Sequence, residues 1–137
     1  MSAANRRRGA DAERAVVTYL RGHGFPDARR TFAGDGKQRG DIDFAPGVCL
    51  EVKDRKSSSW PSWRAQALAE ARPHDVVAVV RRTRGVRDVG KWPTQVAEHS
   101  VEFPALVGFP VDWCRRTDTH WASLPFAAFV DMVRTDR

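Results

Sequence analysis

Val76-Val77-Ala78-Val79-Val80 is the stretch that most restricts how this chain folds. A short continuous run of apolar, mostly β-branched residues has no polar alternation to offer water on either face. It predicts a strand covered on both sides and central in its sheet. At 137 residues the chain fits one compact domain with a real core, but not two independent domains of ordinary size.

The remaining periodicity fits around that strand. Helical spacing begins near Gly9 and runs to Arg21, with Asp11 and Glu13 at its start and Gly22 and Gly24 beyond its end. Val16, Val17 and Leu20 share one face, and Glu13 lies three, four and seven positions before them. That places an acid in the core-facing stripe, an unusual position for a solvated side chain. Phe25 to Phe32 reads as a short strand, residues 33–40 as a polar loop, and residues 41–45 and 48–53 as two strands joined around Pro46-Gly47. Trp60-Pro61 starts a second helix that continues through Trp63, Ala67 and Ala71 until Pro73. Another strand is expected around Trp92 to Val96 and a closing helix over 124–133, whereas residues 100–119 show no clear period. The segment from about 100 onward is therefore taken as a C-terminal extension packed on the same domain.

Between the first and second helices, Gly40-Asp41-Ile42-Asp43 and Glu51-Val52-Lys53 bring three carboxylates and a lysine into what reads as a hairpin. Alternate residues of a strand share a face, so Glu51 and Lys53 oppose Val48, Leu50 and Val52. A two-residue turn would mix acids with aliphatic residues on both faces. An odd-length connection would set Asp43 opposite Glu51 and Asp41 opposite Lys53, leaving one face wholly apolar, and is the expected register. Like charges facing each other across strands repel, and a divalent cation between them removes the conflict. Oxygen-only donors suit Mg²⁺, with Mn²⁺ as a substitute, and Glu13 is placed to complete the set. Lys53, roughly 7 Å along the strand from Glu51, would stand beside such an ion, where it could steady an attacking hydroxide or a developing phosphate charge.

The order Glu13 on a helix, then Gly40-Asp41-Ile42, then Glu51-Val52-Lys53 resembles the PD-(D/E)XK nuclease superfamily. The wider layout, from Gly9 to Glu13, through Gly24-Phe25 and residues 40–47 to the strand ending in Arg81-Arg82, is similar to the small Holliday junction resolvases of archaea and of phages infecting actinobacteria. The likeness covers about the first two-thirds of the chain. It implies a single nuclease domain with an α/β, restriction-endonuclease-like fold, a mixed central sheet flanked by helices. It also implies catalysis by Glu13, Asp41, Glu51 and Lys53, metal held by Glu13, Asp41 and Glu51, and a homodimer acting on branched four-way DNA. Gly40 stands where the superfamily name has proline, and Asp43 is an alternative to Asp41 as the principal ligand.

Charge agrees with a polyanionic partner: 23 Lys and Arg against 17 Asp and Glu give a net +6. The expected DNA contacts are Arg81, Arg82 and Arg84 at a strand end, Arg55 and Lys56 after the lysine of the site, and Arg6, Arg7 and Arg8, with residues 1–8 as a flexible basic arm. The five tryptophans are read as core or dimer-interface residues, and Gln66 as a surface residue with some reach toward DNA. Two cysteines and four scattered histidines form neither a disulfide framework nor a zinc spacing. With no apolar leader and no run long enough to span a bilayer, the expected location is the cytoplasm, away from membranes. Two other functions fit the same residues: a restriction-like or repair endonuclease with another DNA substrate, and a DNA-binding module that has lost catalysis.

Overall fold

The computed structural model describes residues 2–31, 40–55, 59–72, 75–97, 112–116 and 119–135. Helix α1 (Ala3–Arg21) leads into a two-stranded ribbon, β1 (Arg29–Arg30) and β2 (Ile42–Asp43). The main sheet contains β3 (Val48–Lys53), β4 (Val76–Arg81), β5 (Pro93–Ala97), β6 (Asp112–Arg116) and β7 (Thr119–Pro125). Helix α2 (Trp60–Glu70) connects β3 to β4, and α3 (Phe126–Thr135) follows β7. The strand order is β3-β4-β5-β7-β6; β3 and β4 are parallel and the other neighbours antiparallel. The result is a single-domain α/β fold with a mixed sheet. No helix among the described residues is long and apolar enough to cross a membrane.

The valine run is covered on both faces, as its composition requires. Ala78 and Val80 join Val16, Val17 and Leu20 of α1 and Phe126, Phe129 and Met132 of α3 in the larger core cluster. Val77 and Val79 point the other way, to Trp63 and Ala67 of α2 and to Trp121. Burying a valine, leucine or phenylalanine side chain contributes about 1.5–3 kcal/mol, so these two layers fix the helices that later frame the site.

The expected hairpin does not form. β2 pairs antiparallel with β1, Arg29 opposite Asp43 and Arg30 opposite Ile42, while β3 takes β4 as its ladder partner. Neither Asp43 opposite Glu51 nor Asp41 opposite Lys53 occurs. Two local features explain this. Gly40 has φ 75° and forms an isolated bridge with Leu50, an approach so close that a β-carbon there would lie 2.6 Å from the Leu50 carbonyl oxygen. Asp41 then donates its backbone N–H to Leu50 O at 2.8 Å and accepts the Val52 N–H on its carboxylate at 2.8 Å. A side chain thus takes the hydrogen bond that a longer ladder would have used.

Regular structure is described near both ends of the chain. Ser2 caps α1 by accepting the Asn5 N–H, so the helix begins at Ala3 and carries Arg6, Arg7 and Arg8 in its first turns. Gly9 stays helical although glycine costs about 1 kcal/mol relative to alanine in a helix. At the other end, β7 lies between β5 and β6 in the main sheet and α3 fills the core beneath it. Among the described residues of the last third, β6 and β7 belong to the main sheet and α3 to the core.

Candidate functional site

At the β3 edge of the sheet, α1 approaches from one side and α2 from the other. Between them is a cleft of about 300 Å³ whose lining includes Glu13, Arg30, Asp41, Glu51, Lys53 and Gln66. Each acid arrives by a different route. Glu51 sits on the β3 face shared with Cys49, which packs against α2 through a contact of its thiol with the Ala67 carbonyl. Asp41 is set by the Gly40 turn and anchored on Val52 N–H. Glu13 comes from α1, one turn before the buried Val16 and Val17.

Glu51 is 1% exposed, and its Oε1 has no hydrogen-bond partner. Its Oε2 lies 3.9 Å from Lys53 Nζ. Burial, followed by a hydrogen bond with Glu70 and the neighbouring charge and hydrogen bond of Asp41, pushes the Glu51 carboxyl up to about 10. Asp41 is also raised, chiefly by burial, with the Val52 N–H acting in the opposite direction. The hydrogen bond between the two carboxyls acts in opposite senses, lowering Asp41 and raising Glu51. Glu13 is raised by burial first and by Asp41 second, and Arg30, 3.3 Å from its Oε2, partly offsets both.

Lys53 is held by Gln66, whose Oε1 accepts from Nζ at 2.7 Å; Gln66 Nε2 in turn donates to Glu70 at 3.4 Å. Gln66 is exposed, as the sequence reading expected, but its contact with Lys53 was not foreseen. The available signal was its spacing of four from Glu70 on α2, beside the buried stripe of Trp63 and Ala67. Arg30 and Asp54 also line the cleft and were missed. Arg30 belongs to a strand recognisable only in part, and the partners of Asp54 lie nearly thirty residues downstream, beyond any local periodicity.

Asp41 and Asp43 are separated by the fold. Asp41 lines the cleft, whereas Asp43 is exposed and pairs with Arg29 at 3.2 Å. Among the expected basic contacts, Arg6 and Arg55 line the cleft. Arg7 and Arg8 are exposed on α1, where Arg8 bonds to Asn5. Arg81 donates to the Arg55 carbonyl at 3.3 Å, and Arg82 and Arg84 gather at Asp54. Lys56 lies outside the described residues.

Among the described residues, no three His, Cys, Asp or Glu side chains form a ready-made metal cage. The donor chemistry nevertheless fits a hard divalent cation. A buried carboxyl with an orphaned oxygen stands next to a second sheltered carboxylate, and burial raises both. Searches of protein-family models, of curated proteins and of solved structures give no match to this chain.

Proposed function

We propose that the chain is a metal-dependent, structure-specific DNA endonuclease of the PD-(D/E)XK type, with a restriction-endonuclease-like arrangement, that acts as a homodimer on four-way junctions. One observation carries the reading: Glu51 is fully buried, has an orphaned oxygen and lies within 3.9 Å of Lys53, in a cleft that also contains Asp41 and Glu13. A structural acid would be expected to complete its hydrogen bonds, because an uncompensated buried carboxylate is costly. Such expense is common where a site awaits a charged ligand.

Asp41 and Glu51 would hold Mg²⁺ or Mn²⁺, with Glu13 available from α1. When bound, such an ion supplies positive charge to phosphate oxygens and makes water a better nucleophile. The chain's own groups provide the remaining work. Asp41 and Glu51 contribute negative oxygens in their ionised forms. Lys53 is the only lysine lining the cleft among the described residues, and its ammonium group contacts Gln66 at 2.7 Å and lies 3.9 Å from Glu51. There it orients water or stabilises the charge that grows on a phosphate during in-line attack. Arg6 and Arg55 at the cleft wall supply phosphate contacts without reading sequence. The resemblance implies products with a 5′-phosphate and a 3′-hydroxyl. A two-fold dimer would present two such clefts, matching the symmetry of a four-way junction.

The test compares an immobile four-way junction with a linear duplex of the same sequence, in Mg²⁺ and in EDTA, while the molar mass is measured in solution. Cutting of the junction by a dimer in Mg²⁺ alone is expected. Equal cutting in EDTA would overturn the metal mechanism; a monomer cutting both substrates equally well would remove the junction assignment.

A further inference from the structure

A second and larger basin, of about 510 Å³, adjoins the cleft and has no part in the mechanism above. Asp54 belongs to the lining of both. The basin's walls include Arg8 from α1 and Arg82, Arg84 and Arg87 from the segment that leaves β4. These four arginines face two aspartates, Asp54 and Asp11, and Asp11 is already paired with Arg14 at 3.1 Å. The concavity is therefore strongly positive.

Asp54 explains why the arginines gather there. Its side chain is 2% exposed, and neither carboxylate oxygen accepts a hydrogen bond. Arg82 Nη1 approaches one oxygen at 3.6 Å and Arg84 Nη2 the other at 3.7 Å. These separations give charge attraction without a formed hydrogen bond, so the guanidinium donors remain available for another acceptor. The Arg82 and Arg84 side chains are 38% and 47% exposed. A buried carboxylate thus orients two half-exposed planar forks at the mouth of a pocket. Gly85, at φ 81° with no atom within 4 Å of where its β-carbon would be, turns the chain without filling that mouth.

The geometry points to this basin as a second phosphate site, which takes a backbone phosphate of the nucleic-acid strand near the one in the cleft. The inference rests on the nuclease reading for the identity of the strand, but its chemistry stands on the basin alone. Planar, bidentate donors suit a phosphate group better than a point charge does. Proximity supplies the link to the cleft: the Arg82 N–H donates to the Lys53 carbonyl at 2.8 Å, so the basin begins one peptide away from the lysine of the acid cluster. A strand with one phosphate at Lys53 would be held at a neighbouring position by Arg82 and Arg84, with Arg87 of the same basin wall contacting the next phosphate, which would set its direction across the cleft.

The experiment measures binding of a short labelled duplex to the full chain in EDTA over a series of salt concentrations, so that cleavage plays no part. Three variants are compared with the parent: Arg84→Lys, which keeps the charge near Asp54 but loses the planar fork; Arg87→Ala, an exposed change that leaves the Asp54 pairs intact; and Lys91→Ala, an exposed charge outside both basins. Arg87→Ala should reduce the magnitude of the log-log salt slope by about 0.9, the release expected for one phosphate contact. Arg84→Lys should weaken binding several-fold with little change in slope, and Lys91→Ala should alter neither. Basin variants no different from Lys91→Ala would overturn the site. Inorganic phosphate forms a separate arm: if it raises the melting temperature of the parent but not of Arg84→Lys, while duplex binding is the same for both, the basin takes free phosphate and the strand assignment falls. A protein that fails to cut DNA but shows the expected slopes would refute the nuclease reading and leave the phosphate site standing.

Discussion

Replacing Glu51 with glutamine should make the protein more stable while removing its cleavage activity. The side chain is 1% exposed, and its carboxyl is pushed up to about 10 from an ordinary 4.5 by burial, Glu70 and Asp41. Between those two values the folded protein holds a proton that the unfolded chain has released. Stability therefore falls as pH rises across the interval: this contribution is fully present below about 4.5 and is lost progressively toward about 10. At about pH 7.5 the difference spans roughly three pH units, or on the order of 4 kcal/mol. Glutamine has nearly the same shape, needs no proton and can still donate toward Asp41. The Glu51→Gln variant should accordingly gain on the order of 2–4 kcal/mol at about pH 7.5, which corresponds to roughly 6–15 °C in melting temperature for a domain of this size. Thermal and urea unfolding of both proteins in EDTA, at several pH values between about 4.5 and 9, checks this. The gap should vanish at the acid end and widen with pH. Equal stability of the two proteins at about pH 7.5, or a gap that does not change with pH, would refute the claim that Glu51 is a strained acid. Adding Mg²⁺ should then stabilise the parent and not the variant, because a ligand that binds only the folded state raises its stability by mass action.

Asp41→Asn should abolish cleavage whereas Asp43→Asn retains most of it, since only Asp41 lines the cleft; activity measured on one junction substrate decides, and the reverse ranking would exchange their roles. Gly40→Ala should destabilise the fold by about 1–3 kcal/mol in urea unfolding, because the new β-carbon would meet the Leu50 carbonyl at 2.6 Å on a backbone with positive φ. Ca²⁺ should support DNA binding with little turnover, since its longer and looser oxygen coordination does not set the geometry that Mg²⁺ does; rapid cutting in Ca²⁺ alone would contradict this.

What the sequence alone determined was local. The run from Val76 to Val80 could only be a strand covered on both faces, because no face of it tolerates water. The placement of Glu13 relative to Val16, Val17 and Leu20 set an acid at the border of the core, and strand parity separated Glu51 and Lys53 from Val48, Leu50 and Val52. These conclusions survive because helical and extended periods are properties of the nearest few residues, whatever those residues pack against. What only the tertiary structure decided was which edges meet. β3 pairs with a strand brought back in parallel by α2, and Asp41 reaches the site through a side-chain bond to Val52 N–H, not through the expected hairpin register. The same holds for Gln66 on Lys53, for Arg82 and Arg84 on Asp54, and for the insertion of β7 between β5 and β6. Each joins groups distant in the chain, and competing pairings of similar local quality are separated only when the whole core closes around one of them.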